Sequence, residues 1–202
     1  MVRYDNQSGK PFQGIVNEDA HGDFEEVYEE VTDPLIRDFL QVRENFGHSS
    51  PLSRHRWRRR MRMMLPFAPN LSQKEFLPTQ CFQFIRILKK YFPLHRLILS
   101  DFDQLPDTIP GVNGPVVQTM YDGTMVPCST YLVQPGLFDI FFPTDFGQLK
   151  DMYNLLMCKD ASQIMSYQSF LSRYAQTEAT RVKSGENPML SFYKNASFLI
   201  SQ

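Results

Sequence analysis

The clearest hydrophobic pattern in the chain is that of a helix followed directly by a buried strand. In residues 79–92 apolar side chains recur at helical spacing, with Phe82, Ile85 and Leu88 on one side, and Pro93 ends the pattern. The segment "LILSD" that follows is a short continuous apolar run, which is typical of a strand buried in a parallel sheet. A second run of this kind, "LFDIFFP", comes later in the chain. Helices that alternate with such strands predict an α/β fold.

Two elements are predicted before this helix. Residues 12–31 contain the turn signal Asp19-Ala20-His21-Gly22 between two apolar stretches, which favours a hairpin. The helical alternative stays open, since apolar residues also recur at helical spacing in "FEEVYEEV". The segment "TDPLIRDFLQVREN" predicts a helix that is capped by Thr32 or Asp33 and has Pro34 in its first turn.

The second half of the chain adds a hairpin, two helices and a strand. The stretches "VVQTMY" and "TMVPCSTYLV" are predicted to pair around Asp122-Gly123. The segment "TDFGQLKDMYNLLM" predicts a helix with a Thr144 or Asp145 cap. Further along, "SYQSFLSRYAQTEATRVK" predicts an amphipathic helix and "NPMLSFYKNASFLIS" an edge strand.

The amino-acid composition limits the classes of function that the chain could have. The net charge of −1 gives no overall attraction to nucleic acid or to an anionic membrane. The three cysteines are widely spaced and form no C-x-x-C pair, which argues for a reducing compartment and against a disulfide framework or a zinc site. The four histidines lack ligand spacing, so no metal is expected. The ten glycines form no G-x-G-x-x-G motif, so the chain has no glycine-rich nucleotide loop.

An arginine-rich segment interrupts the pattern of helices and strands. Six arginines fall within residues 54–62 around Trp57, and apolar residues follow them. The segment fits a solvated helix face or a contact with an acidic protein surface. RNA binding by residues 54–64 is the other hypothesis, and it predicts strongly salt-dependent affinity.

Two acids end the first buried strand. In open α/β sheets ligands bind beyond the carboxyl ends of the strands, which makes Asp101 and Asp103 candidate site residues. Aspartates at such positions also bind loop amides and are then structural. Because alternate residues of a strand point to opposite sides, at most one of the two is expected to meet a shared ligand.

The segment "YFPLHRLILSDFDQLPDTIPGVNGPVVQTMYDGTMVPCSTYLVQPGLFDIFFPTDFGQLKDMY" resembles the later strands of MidA-type S-adenosylmethionine-dependent methyltransferases. This family includes a mitochondrial protein arginine methyltransferase that acts as a respiratory complex I assembly factor. Asp101-Phe102 matches the family's Asp-aromatic pair, and "FDIFFPTDFGQL" matches its next strand and helix start. The "GKPFQG" stretch and "EATRVKSGENPML" resemble the eukaryotic branch. The likeness covers most of the chain and is specific over residues 91–153.

The resemblance implies a particular fold. Residues 1–202 would form the C-terminal part of the methyltransferase domain, with an Arg-rich insertion at about 47–70. Its sheet would be the later half of a Rossmann-like class I methyltransferase sheet with a β-hairpin excursion, incomplete without the N-terminal strands. "LILSD" and "FDIFF" would be neighbouring inner strands. The glycine-rich loop that holds S-adenosyl-L-methionine in the family has no counterpart in this sequence.

The resemblance also implies a reaction. A methyl group would pass from the sulfonium of S-adenosylmethionine to a guanidinium nitrogen of a protein arginine, giving symmetric dimethylation. Asp101, which matches the family motif, and Asp103, which follows it at the end of the strand, are the candidate catalytic carboxylates. The expected substrate is a complex I subunit in the mitochondrion. Without its cofactor loop the chain alone is expected to be inactive, and its exposed sheet edge favours a homodimer. The alternative is a non-catalytic α/β protein-interaction module.

Overall fold

The computed structural model describes residues 1–46, 69–106, 108, 114–158 and 162–201. The arginine-rich segment, and the predictions made for it, lie outside these residues. The chain forms two compact units. The first unit comprises Met1–Gln83 and Gly111–Ile140, and the second comprises Phe84–Pro110 and Phe141–Gln202.

The first unit contains an antiparallel sheet in the order β1-β2-β3, made by β1 (Val2–Tyr4), β2 (Pro11–Glu18) and β3 (Phe24–Glu30). The predicted hairpin is therefore confirmed, and the helical alternative for its second arm is wrong. The Asp19 carboxylate shapes the turn by accepting hydrogen bonds from the N–H groups of His21 (2.8 Å) and Asp23 (2.9 Å). Gly22 has φ +86°, a conformation that glycine adopts without steric cost.

Among the described residues, α1 (Pro34–Arg43) follows this sheet and continues as a 3₁₀ turn over Glu44–Phe46, and α2 (Thr79–Tyr91) comes later along the chain. The predicted cap of α1 is confirmed, since the Asp33 carboxylate accepts from the Leu35 and Ile36 N–H groups. Phe39 and Phe82 are fully buried and pack edge to face with ring centroids 5.6 Å apart.

A second three-stranded sheet, also assigned mainly to the first unit, has the order β6-β5-β7. Its strands are β5 (Val116–Tyr121), β6 (Thr124–Cys128) and β7 (Asp139–Phe141). The predicted hairpin is confirmed. Asp122 (φ +47°) and Gly123 (φ +73°) both adopt positive φ, as a two-residue type I′ turn requires.

The sheet of the second unit consists of β4 (Ile98–Phe102), β8 (Ser162–Ser166) and β9 (Ala196–Ser201), in the order β4-β9-β8. β9 is antiparallel to both neighbours, so β4 and β8 run parallel to one another. The final strand was predicted at an edge, and that prediction is wrong. β9 occupies the centre of this sheet, where Leu199 is fully buried.

The second unit contains α2 from Phe84 onward. Its other described helices are α3 (Phe146–Met157), α4 (Tyr167–Tyr174) and α5 (Pro188–Ser191), with a 3₁₀ turn over Thr177–Thr180. The predicted helix in the region of α4 is confirmed but is shorter, since the chain becomes extended at Ala175. Phe170 of α4 stacks on Phe198 of β9 with ring centroids 4.0 Å apart. None of the described helices is long and apolar enough to span a membrane.

The predicted pairing of the two apolar runs is also wrong. "LILSD" and "FDIFF" lie in different sheets. The pairs β1–β2, β2–β3, β4–β9, β5–β6 and β8–β9 are all antiparallel. β7 has only three residues, and Ile140 is 44% exposed rather than buried. The prediction failed because an apolar run of this length does not specify its pairing partner. The fold is a mixed α/β arrangement with small antiparallel sheets.

Candidate functional site

The two acids predicted from the sequence lie at the carboxyl end of β4. Asp101 is the fourth residue of the strand, and Asp103 follows its last residue. Both belong to the second unit, in which β4 pairs with β9 through the register Asp101↔Ser197 and Phe102↔Ala196. β9 and the start of α3 supply the polar partners of the two carboxylates.

Asp101 is tied into the backbone that surrounds it. Its Oδ2 accepts a hydrogen bond from the Thr144 hydroxyl at 2.6 Å, and its Oδ1 accepts from the Phe102 N–H at 2.8 Å. The Thr144 N–H donates in turn to the Phe102 carbonyl at 2.8 Å. Both carboxylate oxygens therefore have protein donors, and the side chain joins the end of β4 to the residues that precede α3.

Asp103 differs from Asp101 in the contacts of its two carboxylate oxygens. Its Oδ2 accepts from the Ser197 hydroxyl at 2.6 Å, and its N–H donates to the Asn195 carbonyl at 3.0 Å. The other oxygen, Oδ1, is buried and has no hydrogen-bond partner among the described residues. Leaving a buried acceptor unpaired costs about 1–3 kcal/mol, and more when the group is charged. A donor or cation that reached Oδ1 would recover that energy.

Asn195 also holds the loop after Asp103, through its side chain. The Asn195 side-chain amide donates to the Gln104 carbonyl at 3.0 Å, just before β9 begins. Ser197 and Asn195 thus hold both the carboxylate and the backbone of this strand end. The sequence offered no signal for either residue, because they lie more than ninety positions from Asp103 along the chain.

A histidine of the same unit is also fully engaged. The His95 Nδ1 lies 2.6 Å from the Phe92 carbonyl, so Nδ1 carries the proton and donates to it. The hydroxyl of the buried Tyr153 then donates to Nε2 at 2.9 Å. Both ring nitrogens are satisfied, and His95 packs against Tyr153 as a structural pair. Within the described residues no group of three or more His, Cys, Asp or Glu could hold a metal ion.

The first unit contains a buried charged cluster of Tyr4, Arg43 and Glu75. Arg43 donates to Glu75 Oε1 at 2.7 Å and to the Tyr4 hydroxyl at 2.6 Å, and that hydroxyl lies 3.0 Å from Glu75 Oε2. Burial, reinforced by the Glu75 charge, raises the pKa of Tyr4 to about 12. Burial opposes the charged guanidinium, yet Glu75 and Tyr4 together raise the pKa of Arg43. The cluster has the character of a structural network.

The described residues do not form a nucleotide-type cofactor site. Such sites lie at the N-termini of helices that follow strands, where free N–H groups bind phosphate. In α3 and α4 a side chain of the protein itself caps this end. Asp145 accepts from the Gln148 N–H at 2.9 Å at the start of α3, and Ser166 accepts from the Ser169 N–H at 3.2 Å at the start of α4. The described positive-φ glycines lie in turns and none joins a strand to one of these helices: Gly9, Gly22, Gly123, Gly136 and Gly185.

Comparison with known proteins identifies the family. Residues 2–162 match the family model Methyltransf_28, which is described as "Putative S-adenosyl-L-methionine-dependent methyltransferase". No curated protein matches the chain. The match covers more than half of the sequence and includes β4 with both acids, although the residues that pair with β4 from β9 lie beyond it. The chain therefore belongs to this family of methyltransferases, whose cofactor is S-adenosyl-L-methionine.

Proposed function

We propose that this chain is the C-terminal half of a MidA-type protein arginine methyltransferase. In this proposal it acts in the mitochondrion on a complex I subunit and forms symmetric dimethylarginine. The residues that hold S-adenosylmethionine would lie outside the chain, since its sequence has no glycine-rich nucleotide loop and the described residues do not fit that cofactor. The chain alone would therefore be inactive.

The observation that supports an arginine substrate is the unpaired oxygen of Asp103. Ser197 orients the carboxylate through Oδ2 and leaves Oδ1 as a fixed acceptor, which a guanidinium would reach once the residues that cover it move aside. A guanidinium presents several N–H donors in one plane and carries a permanent charge, so it suits a fixed carboxylate acceptor. A carboxylate in this position would orient the guanidinium and stabilise its charge. Asp101 would act only through the backbone that it positions.

Binding of an arginine peptide to the purified chain tests this role. We expect an arginine peptide to bind at least about tenfold more tightly than the same peptide with citrulline, because citrulline keeps the shape and lacks the charge. Asp103→Asn should abolish that preference. The matched control Asp139→Asn removes an exposed carboxylate and should keep it. Calorimetry or NMR titration supplies the affinities, and circular dichroism confirms that each variant is folded.

Equal affinity for the two peptides would contradict the assigned role of Asp103. It would leave the protein-interaction module as the better description of this chain.

Calorimetry with S-adenosylmethionine tests the half-domain proposal separately. We expect the purified chain to show no micromolar binding, because its strand-to-helix junctions are capped by its own side chains. Clear micromolar binding would show that this chain carries a cofactor site and would overturn the half-domain proposal. That result would leave the peptide experiment unaffected.

A further inference from the structure

A turn between α2 and β4 exposes several apolar side chains to solvent. α2 ends at Tyr91, and the turn that follows is closed by the His95 N–H, which donates to the Phe92 carbonyl at 3.0 Å. Tyr91 is 62% exposed, Phe92 is 59% exposed and Leu94 is 92% exposed. A leucine that is almost wholly exposed has very little protein packed against it. This apolar turn, residues 91–94, therefore projects from the surface of the second unit.

The apolar turn is held in place by groups of its own unit. Pro93 occupies its second position, where the fixed φ of proline suits a tight turn. The His95 ring donates to the Phe92 carbonyl through Nδ1, and its Nε2 accepts from the hydroxyl of the buried Tyr153. The backbone is therefore preorganised, and a partner can bury the apolar side chains without having to order the turn first.

The residues around the apolar turn are basic. Residues 84–100 include four Lys or Arg residues and no Asp or Glu. Lys89 and Lys90 lie in the last turn of α2, Arg96 follows the apolar turn, and all three are exposed. The Lys90 ammonium lies 4.8 Å from the centroid of the Tyr91 ring, so cationic and aromatic groups share one patch. Because the net charge of the whole chain is −1, this basic stretch is a local feature.

This combination of side chains fits a lipid surface better than a protein partner. Lysine is depleted at protein–protein interfaces, and burying its charge there is costly. At a bilayer surface, by contrast, lysine and arginine reach the headgroups, while aromatic and aliphatic side chains enter the boundary between headgroups and acyl chains. Tyr91 suits that boundary, because its ring is apolar and its hydroxyl is polar. Each cation near an anionic leaflet adds to the attraction.

We propose that the apolar turn and the cations beside it bind the surface of a bilayer that contains anionic phospholipids. Phe92 and Leu94 enter the boundary between headgroups and acyl chains. Lys89, Lys90 and Arg96 contact the headgroup phosphates. So few groups give weak, reversible binding, with a half-saturating lipid concentration on the order of 0.1–1 mM. This inference goes beyond the proposed methyltransferase function and does not depend on it.

Flotation of the purified chain with lipid vesicles tests the proposal. We expect phosphatidylcholine vesicles that contain about 30% phosphatidylglycerol to bind the chain at least about tenfold more tightly than vesicles of phosphatidylcholine alone, because cations of the chain meet anionic headgroups. Binding to the anionic vesicles should weaken as the salt concentration rises, since salt screens this attraction.

Substitutions with matched controls locate the binding surface. Leu94→Ser should weaken vesicle binding at least about fivefold, because it removes an apolar side chain that enters the bilayer. The control Leu137→Ser changes a leucine that is 64% exposed in the first unit, and it should leave binding unchanged. Lys90→Glu should weaken binding to the anionic vesicles about tenfold, whereas Lys183→Glu, at another exposed position of the second unit, should weaken it less than about twofold. Circular dichroism confirms that each variant is folded.

The proposal is overturned if the chain binds neither kind of vesicle, if it binds both equally, or if Leu94→Ser and Leu137→Ser have equal effects. Binding to polyuridylate RNA without binding to vesicles would also overturn it, and would assign the basic surface to nucleic acid. None of these outcomes depends on whether the chain binds arginine or S-adenosylmethionine.

Discussion

Arg43 shows how a single residue can differ from what its type predicts. It lies on the buried side of α1, in line with Ile36 and Phe39, although arginine is almost never buried without a partner. Its partner Glu75 is 32 residues away, so no local pattern could have revealed the pair. Removing one member of a buried ion pair leaves the other charge uncompensated, which is strongly destabilising. We therefore expect this cluster to control the stability of the first unit.

The raised pKa of Tyr4 makes the stability that this cluster contributes depend on pH, so it can be measured. Because its pKa rises from 10.0 to about 12 in the folded protein, the folded state holds the phenolic proton more tightly than the unfolded state does. The stabilisation is complete below pH 10 and is lost as the pH rises from 10 to 12. Relative to Tyr4→Phe, the wild type should lose about 1 kcal/mol of unfolding free energy between pH 8 and pH 11.

Urea unfolding of the two proteins at both pH values measures this difference. The wild type should also be more stable than Tyr4→Phe at pH 8 by about 1–2 kcal/mol, since the variant leaves Arg43 and Glu75 short of a hydrogen bond. If the two proteins respond identically to pH, the Tyr4 hydroxyl is not buried in this cluster.

The contact between Asp101 and Thr144 allows a double-mutant cycle. Asp101→Ala and Thr144→Val each remove one partner of the 2.6 Å hydrogen bond that joins β4 to the start of α3. We expect each variant to lose about 1–2 kcal/mol of unfolding free energy, with a coupling of about 1 kcal/mol between them. Chemical denaturation gives the four values. A coupling near zero would contradict the positioning role assigned to Asp101.

At the scale of elements, structures fixed by nearby residues were predicted well. The hairpin of β2 and β3, the hairpin of β5 and β6, and helices α1, α2 and α3 follow from turn residues, caps and apolar spacing within each segment. β1 and β8 were missed, because "VRY" and "SQIMS" are too short and too mixed to show a periodicity of their own. Both become strands through pairing with neighbours elsewhere in the chain.

Helix α2 provides a test of predicted burial. Phe82 is fully buried against Phe39, whereas Phe84 on the same helix is 41% exposed. Phe82→Ala should cost about 3–5 kcal/mol of unfolding free energy, because it leaves a cavity in the core. Phe84→Ala is the matched control and should cost less than about 1.5 kcal/mol, since a side chain that remains partly in water contributes less by its burial. Similar losses for both variants would mean that α2 presents a different face to the core.

At the scale of the whole molecule, the local sequence pattern predicted the α/β class and placed the two acids at the end of a strand. It did not predict the sheet topology. An apolar run shows that a strand is suited to burial but not which strand it joins. "LILSD" pairs with β9, about one hundred residues further along, and not with "FDIFF". For the same reason Asp101 and Asp103 could be identified as candidates, while their partners Thr144 and Ser197 could not. Asp103 was distinguished from Asp101 only by the contacts of its two oxygens.

The central position of β9 has a consequence for how the second unit acquires its structure. β4 and β8 do not pair with each other, and each pairs with β9. Because β9 is synthesised after both, neither strand can form these hydrogen bonds earlier. Until residues 196–201 have been synthesised, the described strands of this sheet have no partner in it, and the first pairing must close a long loop of chain. Topologies of this kind fold slowly. We therefore expect nascent chains that stop before β9 to need chaperone protection that chains extending through β9 do not.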